Sequence, residues 1–289
     1  MVPEYYEELD QLIKMVFIPN FGDRVKLKIK KILFDRFEYK NIIIEDQKAV
    51  TIDKEIPNTV YQTWVNKSLP WRLGKGILKF REANKNYSFK IFSHEDRDEY
   101  MQSKWSDHPI YKIYRQSNFH QSKADIWRYC IIYEKGGFYF DIKSACAIPL
   151  DNLIISKGSV ISYESNMAYC VPNINIIENQ KYPFHLILNW AFGFKRKHQL
   201  LKMLINNIVD YSEYFKGKEF NNPKEAILSF TGPGMLTKTF RDYISLTNVR
   251  LIPMGIDFNQ KGIFQLEGSE FRYKYALEYG KSRNKNILN

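Results

Sequence analysis

The sequence predicts an α/β domain: an α/β/α sandwich built on a mostly parallel sheet. Two observations carry this. Short apolar and aromatic runs with strand character alternate with longer runs at helical spacing, the pattern of consecutive βαβ units. One segment, SKADIWRYCIIYEKGGFYFDIKS from Ser122 to Ser144, holds a helix, a glycine stop and a strand in direct succession. A chain of 289 residues with 44% hydrophobic content can build one ordinary core.

Taken in order, residues 4–18 space Leu9, Leu12, Ile13, Val16 and Phe17 along one helical face, and PNFGDR at 19–24 is a turn. The run VKLKIKKILFDRFEYK at 25–40 is basic with interleaved aliphatics. It fits either docking to an anionic membrane surface or a solvated helix packing Leu27, Ile32, Leu33 and Phe37 on its own domain. Ile56-Pro57 opens a strand that ends at Trp64. A helix is expected over 74–84, and a second strand over Phe89–Phe92 with a polar loop after it. In the next helix Asp125 and Arg128 are three apart and share a face. Gly136 and Gly137 stand where a left-handed C-cap is wanted. Phe138, Tyr139 and Phe140 favour a strand. Alternation along it points Tyr139, Asp141 and, if the strand continues, Lys143 the same way. ISYE near residue 161 is a further strand. LILNWAFGFK fits a strand or a helix start, its period being ambiguous. From His198 to Val209, Leu200, Leu201, Leu204, Ile205 and Ile208 recur at helical spacing.

The net charge of +11 suits anionic partners such as nucleotide diphosphates or lipid surfaces, and equally suits plain solubility. No nucleic-acid recognition motif accompanies it, so no nucleic-acid partner is expected. Aromatic residues make up 16% of the chain, enough to furnish platforms for sugars or bases, although packing accounts for most such residues. Cys130, Cys146 and Cys170 form no CxxC or Cys/His cluster, which argues against zinc. The absence of GxxxxGK[ST] argues against ATP hydrolysis. His94, His108, His120, His185 and His198 show neither triad nor metal spacing. No signal peptide is recognisable, and no apolar run approaches the ~18 residues that span a membrane. The expected location is cytoplasmic, with peripheral contact at the inner face of a membrane.

The segment around Asp141 resembles the sugar-nucleotide core of the DXD-type glycosyltransferases, a family that includes fungal Golgi mannosyltransferases, bacterial capsule and lipopolysaccharide enzymes and, more distantly, the clostridial glucosylating toxins. The family's pattern A-D-x-x-R-Y, spacer, G-G-x-Y-x-D-x-D stands here as Ala124, Asp125, Arg128, Tyr129, Gly136, Gly137, Tyr139 and Asp141. Lys143 takes the place of the final Asp. IPNTVYQTW at Ile56–Trp64, SFKIFSHEDRDEY at Ser88–Tyr100, NWAFGFKRKH at Asn189–His198 and TGPGMLT at Thr231–Thr237 extend the likeness over roughly residues 56 to 240. The resemblance implies a GT-A, Rossmann-like nucleotide-sugar-binding fold. It divides the chain into an N-terminal basic extension, 1–55, and a catalytic domain, 56–289.

By the same resemblance Trp64 would stack on the nucleotide base, with Gln62 and Thr63 lining that pocket and Tyr139 near the ribose or base. Asp125 and Arg128 would hold the donor sugar, by chemistry that suits a carboxylate and a forked guanidinium. Asp141 would contact the ribose and an ion-bound water. The family's companion ion is a divalent cation, Mn²⁺ or Mg²⁺. The position of Lys143 normally supplies its direct ligand, which a protonated Lys cannot do. Three readings follow: the ammonium replaces the ion at the leaving diphosphate, the site is degenerate, or the strand ends early and Lys143 points to solvent. Ser144 is expected to donate to a phosphate. Asn189 and Trp190 are expected to border the donor or acceptor sugar, or else to be a turn Asn and a core Trp. Gly232-Pro233-Gly234 is expected to form a tight loop closing over the diphosphate. The implied reaction moves a hexose or N-acetylhexosamine from a nucleotide-diphosphate sugar to a glycan or lipid-linked glycan acceptor, such as capsule or lipopolysaccharide, with retention. The alternatives are a silent donor-binding homologue in a glycan-assembly complex and a basic nucleic-acid-binding protein.

Overall fold

The computed structural model describes residues 41–50, 52–153, 155–167, 185–221, 223–269 and 284–289. The elements expected over 4–40, and Cys170, lie outside them. The chain divides into two compact units, Met1–Lys40 and Asn41–Asn289; the described residues all belong to the second. That unit starts ahead of residue 56: strand β1 (Asn41–Ile43) pairs antiparallel with β3 (Ser68–Pro70), and Gln47 bridges Phe89.

The central sheet has five strands in the order β4-β2-β5-β10-β7. These are β2 (Thr59–Thr63), β4 (Ser88–Phe92), β5 (Gly137–Phe140), β7 (Ser159–Val160) and β10 (Ala191–Phe194). β2 runs parallel to both β4 and β5, whereas β10 runs antiparallel to β5 and β7. The sheet is therefore mostly parallel with one reversed strand. The other described strands form short ribbons: β6 (Ala145–Cys146) with β12 (Gly262–Ile263), β8 (Tyr163–Met167) with β9 (His185–Ile187), and β11 (Glu219–Phe220) with β13 (Lys285–Asn286). LILNWAFGFK is thus the end of one strand and the whole of another. Its period is unreadable because Ala191–Phe194 is buried on both faces, as a central strand is.

Alternation splits the core in two. Tyr61, Tyr139, Phe192 and Phe194 face one side, where they meet helices α2 (His94–Trp105), α3 (Pro109–Gln116), α4 (His120–Lys135), α5 (Gln199–Phe215), α6 (Pro223–Phe230) and α7 (Pro233–Thr247). Val60, Phe138, Phe140 and Ala191 face the other side with Phe80 of α1 (Trp71–Glu82), Leu150 and Phe258.

The polar run after β4 is a helix, not the expected loop. Ser93 Oγ accepts from the Asp96 amide at 3.0 Å while Asp96 Oδ2 accepts from the Ser93 amide at 2.8 Å, a capping box. Only Arg97, Met101 and Trp105 of α2 are buried, too few apolar positions to announce a helix. At the other end of the helical layer, α4 stops at Gly136, whose φ is +64°, and Gly137 follows at +104°. A Cβ on Gly137 would lie 2.5 Å from the Thr59 carbonyl oxygen, so the strand can enter beside β2 only as glycine. TGPGMLT is likewise no loop. Pro233 opens α7, and a Cβ on Gly232 would lie 2.9 Å from Leu228 Cα, so the glycine serves a tight helix-to-helix junction.

β2, β4 and β5 all end at one edge of the sheet, which brings Trp64, the start of α2 and Asp141 together, the usual crevice of an open α/β sheet. Because β10 is reversed, its start adds Asn189 and Trp190 to the same edge.

Candidate active site

Four charged side chains meet at this edge. Arg128 Nη2 lies 3.2 Å from Asp125 Oδ1 and 3.4 Å from Asp141 Oδ1. Its Nη1 donates to the Asn189 carbonyl at 2.6 Å, and its guanidinium sits over the Tyr139 ring, 4.2 Å from the centroid. Lys143 Nζ lies 3.7 Å from Asp141 Oδ2 and 4.4 Å from the Phe264 ring centre. Asp125 also accepts from Asn189 Nδ2 at 3.2 Å and from Thr231 Oγ1 at 3.1 Å. Asp125 and Arg128 are buried, while Asp141 and Lys143 keep about a fifth of their side-chain surface. Burial pushes the Asp125 carboxyl up against the pull of Arg128, with Asp141 adding to the rise. Burial alone would lower the Arg128 pKa, but its surroundings, including the two carboxylates, carry it above its ordinary value.

The turn explains Lys143. β5 ends at Phe140, so strand alternation does not extend to residue 143. Instead the Ser144 amide donates to the Asp141 carbonyl at 2.8 Å, closing a β-turn that swings Lys143 back toward Asp141 while Ile142 goes into the core. The strand does end early, yet Lys143 faces the carboxylate.

Other expected site residues fall elsewhere. Tyr139 is buried, and its hydroxyl donates to Asp141 Oδ1 at 2.6 Å, so it braces the charged group from beneath. Thr63 Oγ1 donates to the Phe92 carbonyl, and Ser144 Oγ donates to the Phe264 carbonyl at 2.9 Å, so both hydroxyls serve the backbone. Gln62 is 0% exposed, and neither amide atom has a hydrogen-bond partner. Trp190 packs against Phe258 and Phe264 in the core. Gly232 and Gly234 are buried at the α6–α7 junction, and the group that this junction sends to the crevice is the Thr231 hydroxyl. Trp64 is half-buried just after β2, packed against the cluster of Ile44, Leu69, Leu73, Ile77, Ile91 and Ile142. Asn189 links the pair, donating from Nδ2 to Asp125 and accepting from Arg128 at its carbonyl. The sequence offers no signal for Thr231 or Arg97, since both lie in runs that read as loops and prove to be the α6–α7 junction and the start of α2.

A divalent cation held by two carboxylates does not fit this donor set. Asp141 is already shared by Arg128, Tyr139 and Lys143, and an ammonium stands where a second ligand would be. Among the described residues no three His, Cys, Asp or Glu side chains cluster to hold a metal. No helix among them is long and apolar enough to cross a membrane.

The fold and crevice define an α/β protein with paired carboxylate and guanidinium groups at the carboxyl edge of a parallel sheet, equipment for holding polyhydroxylated, phosphorylated ligands. A family model described as glycosyltransferase sugar-binding region containing DXD motif matches residues 70–160. An initiation-specific alpha-1,6-mannosyltransferase of Candida albicans is 28% identical over 66% of this chain and 54% of its own. Inositol phosphoceramide mannosyltransferase 1 of Schizosaccharomyces pombe is 23% identical over 73% of this chain and 60% of its own. The chain thus spans little more than half the length of such curated relatives. A solved structure, PaToxG glycosyltransferase, aligns with a TM-score of 0.48 at 15% identity, covering 66% of this chain and 70% of that one. Residues 70–160 thus match the DXD-type glycosyltransferase sugar-binding region, with Lys143 in place of the motif's second Asp.

Proposed function

We propose that the protein transfers a hexosyl unit from a nucleoside-diphosphate sugar to a glycan or lipid-linked glycan acceptor with retention. The observation that carries the reading is the Asp125–Arg128–Asp141 cluster with Lys143 turned onto Asp141. The relatives named as mannosyltransferases favour a hexose such as mannose. A capsule or lipopolysaccharide repeat is the kind of acceptor proposed, met at the inner face of a membrane by way of the basic segment 25–40.

Asp125 accepts hydrogen bonds from sugar hydroxyls, and Arg128 orients that carboxylate. The bond between the anomeric carbon and the phosphate oxygen breaks, and the acceptor oxygen attacks on the same face. The acceptor proton passes to the leaving diphosphate. Lys143 supplies positive charge where the diphosphate gains negative charge, a service that a metal ion otherwise performs. Trp64 offers its face to the base. A second reading, a donor-binding homologue without turnover, is favoured by the same Lys143 at a ligand position.

Calorimetry with UDP- and GDP-sugars, first with Mn²⁺ and then with EDTA, tests both. Binding and transfer that ignore EDTA are expected, and Lys143→Asp should make transfer respond to Mn²⁺. Wild-type transfer abolished by EDTA and restored by Mn²⁺ removes Lys143 from the ion's role. Binding without transfer to any acceptor selects the second reading.

A further inference from the structure

Arg97 differs from the other charged groups beside the crevice. It lies in the first turns of α2, immediately after β4 ends at the crevice, and is 2% exposed. Its Nε has no hydrogen-bond partner, and among the described residues no carboxylate forms an ion pair with it. Asp98, the next residue along α2, instead accepts from the Tyr114 hydroxyl at 2.5 Å. Arg128, by contrast, is engaged by two carboxylates and two carbonyls.

An unpaired guanidinium inside a protein is unfavourable, and a buried polar group left unsatisfied needs a reason. Its setting supplies one. Arg97 feels Tyr114, Tyr139, Asp98 and Arg128, and its charge is felt in turn at Asp125, as its place at the start of α2 beside the crevice leads one to expect. Burial, the largest influence on it, lowers its proton affinity. Arg128 and Lys143 face Asp125 and Asp141 directly, whereas Arg97 feels the field of Asp98, whose carboxylate takes the Tyr114 hydroxyl, and has no carboxylate of its own in hydrogen-bond contact. A guanidinium fork matches the paired oxygens of a phosphate or a carboxylate.

We infer that Arg97 binds an anionic group of the donor, either its diphosphate or a carboxylate on the transferred sugar. The inference rests on the donor-binding reading above. It makes Arg97 a residue whose cost to the empty protein is offset only when ligand is present.

The test measures thermal midpoints and nucleotide affinities of the full chain and of Arg97→Met and Arg97→Lys. The ligands are UDP, GDP, their hexose conjugates and UDP-glucuronate. Without ligand, Arg97→Met is expected to melt at or above the wild-type midpoint, because an unpaired buried charge is gone. Its affinity is expected to fall by about ten-fold or more. A loss already seen with the nucleoside diphosphate assigns the diphosphate to Arg97. A loss confined to UDP-glucuronate assigns the sugar carboxylate. If Arg97→Met loses both stability and affinity, Arg97→Lys decides: recovered affinity supports the inference, and unrecovered affinity overturns it. A wild-type ligand shift that Arg97→Met retains in full overturns the inference alone. No wild-type shift with any nucleotide removes the donor reading and this inference together.

Discussion

At Asp141 a single carboxylate receives Tyr139, Arg128 and Lys143, and that crowding explains most of what the neighbouring side chains do. Tyr139 cannot also serve a ribose, because its hydroxyl is spent on Asp141. Trp64, one residue beyond β2, is half-buried against the cluster that holds Leu69, Leu73 and Ile91. Base stacking on an aromatic ring contributes about 1–3 kcal/mol. Trp64→Ala should therefore weaken nucleoside-diphosphate binding by about ten-fold, measured by calorimetry; unchanged affinity would take Trp64 out of the pocket. Residue chemistry was readable where a charged pair had to be close on one helix, as with Asp125 and Arg128. It was not readable for Gln62, Ser144 and Trp190, because a sequence does not say which polar groups the backbone will claim or which edge of a ring the core will cover.

Among the elements, the junction of α4 and β5 bears the tightest constraint. Gly136 and Gly137 both have positive φ, and the second passes against the Thr59 carbonyl. Gly137→Ala combines a disfavoured backbone region with a backbone clash that no side-chain rotation relieves. It should destabilise the fold by about 1–3 kcal/mol or more, read from denaturant midpoints. A neutral result would mean that β2 and β5 can separate there. This junction was legible because glycine pairs have few structural uses. The α2 helix was not, since its start is written in a capping box and its buried face in only three residues. Nor was the α6–α7 junction, where the Gly-Pro-Gly turn chemistry is satisfied by a helix start as well as by a loop.

For the whole molecule, acid is the informative perturbation. His198 caps α5: its Nδ1 accepts from the Leu200 amide at 3.2 Å, which leaves Nε2 to donate to the Lys157 carbonyl at 3.3 Å. Burial lowers its pKa from 6.5 to about 4, and burial together with Arg97 and His120 lowers that of His94 likewise to about 4. The unfolded chain therefore takes up these protons first as pH falls. Stability is full above about 6.5 and declines as pH drops toward 4. The His198 contribution is on the order of 1–3 kcal/mol after allowance for solvent. Urea midpoints between pH 7 and 4 should fall, and His198→Asn, which can still cap, should flatten the slope. A flat wild-type profile would show that neither histidine is held neutral by the fold.

The reversed strand β10 has a consequence for divergence. The chain leaves the sheet at Val160, level with Phe138, and returns at Ala191, level with Phe140 beside the crevice. The described residues of that connection, 161–167 and 185–190, carry the β8–β9 ribbon and bring the chain back to Trp190, whose carbonyl accepts from the Asp141 amide. The connection's length and composition can change without shifting the register of any sheet strand. Selection acting there can alter what approaches the crevice while the charged cluster stays as it is.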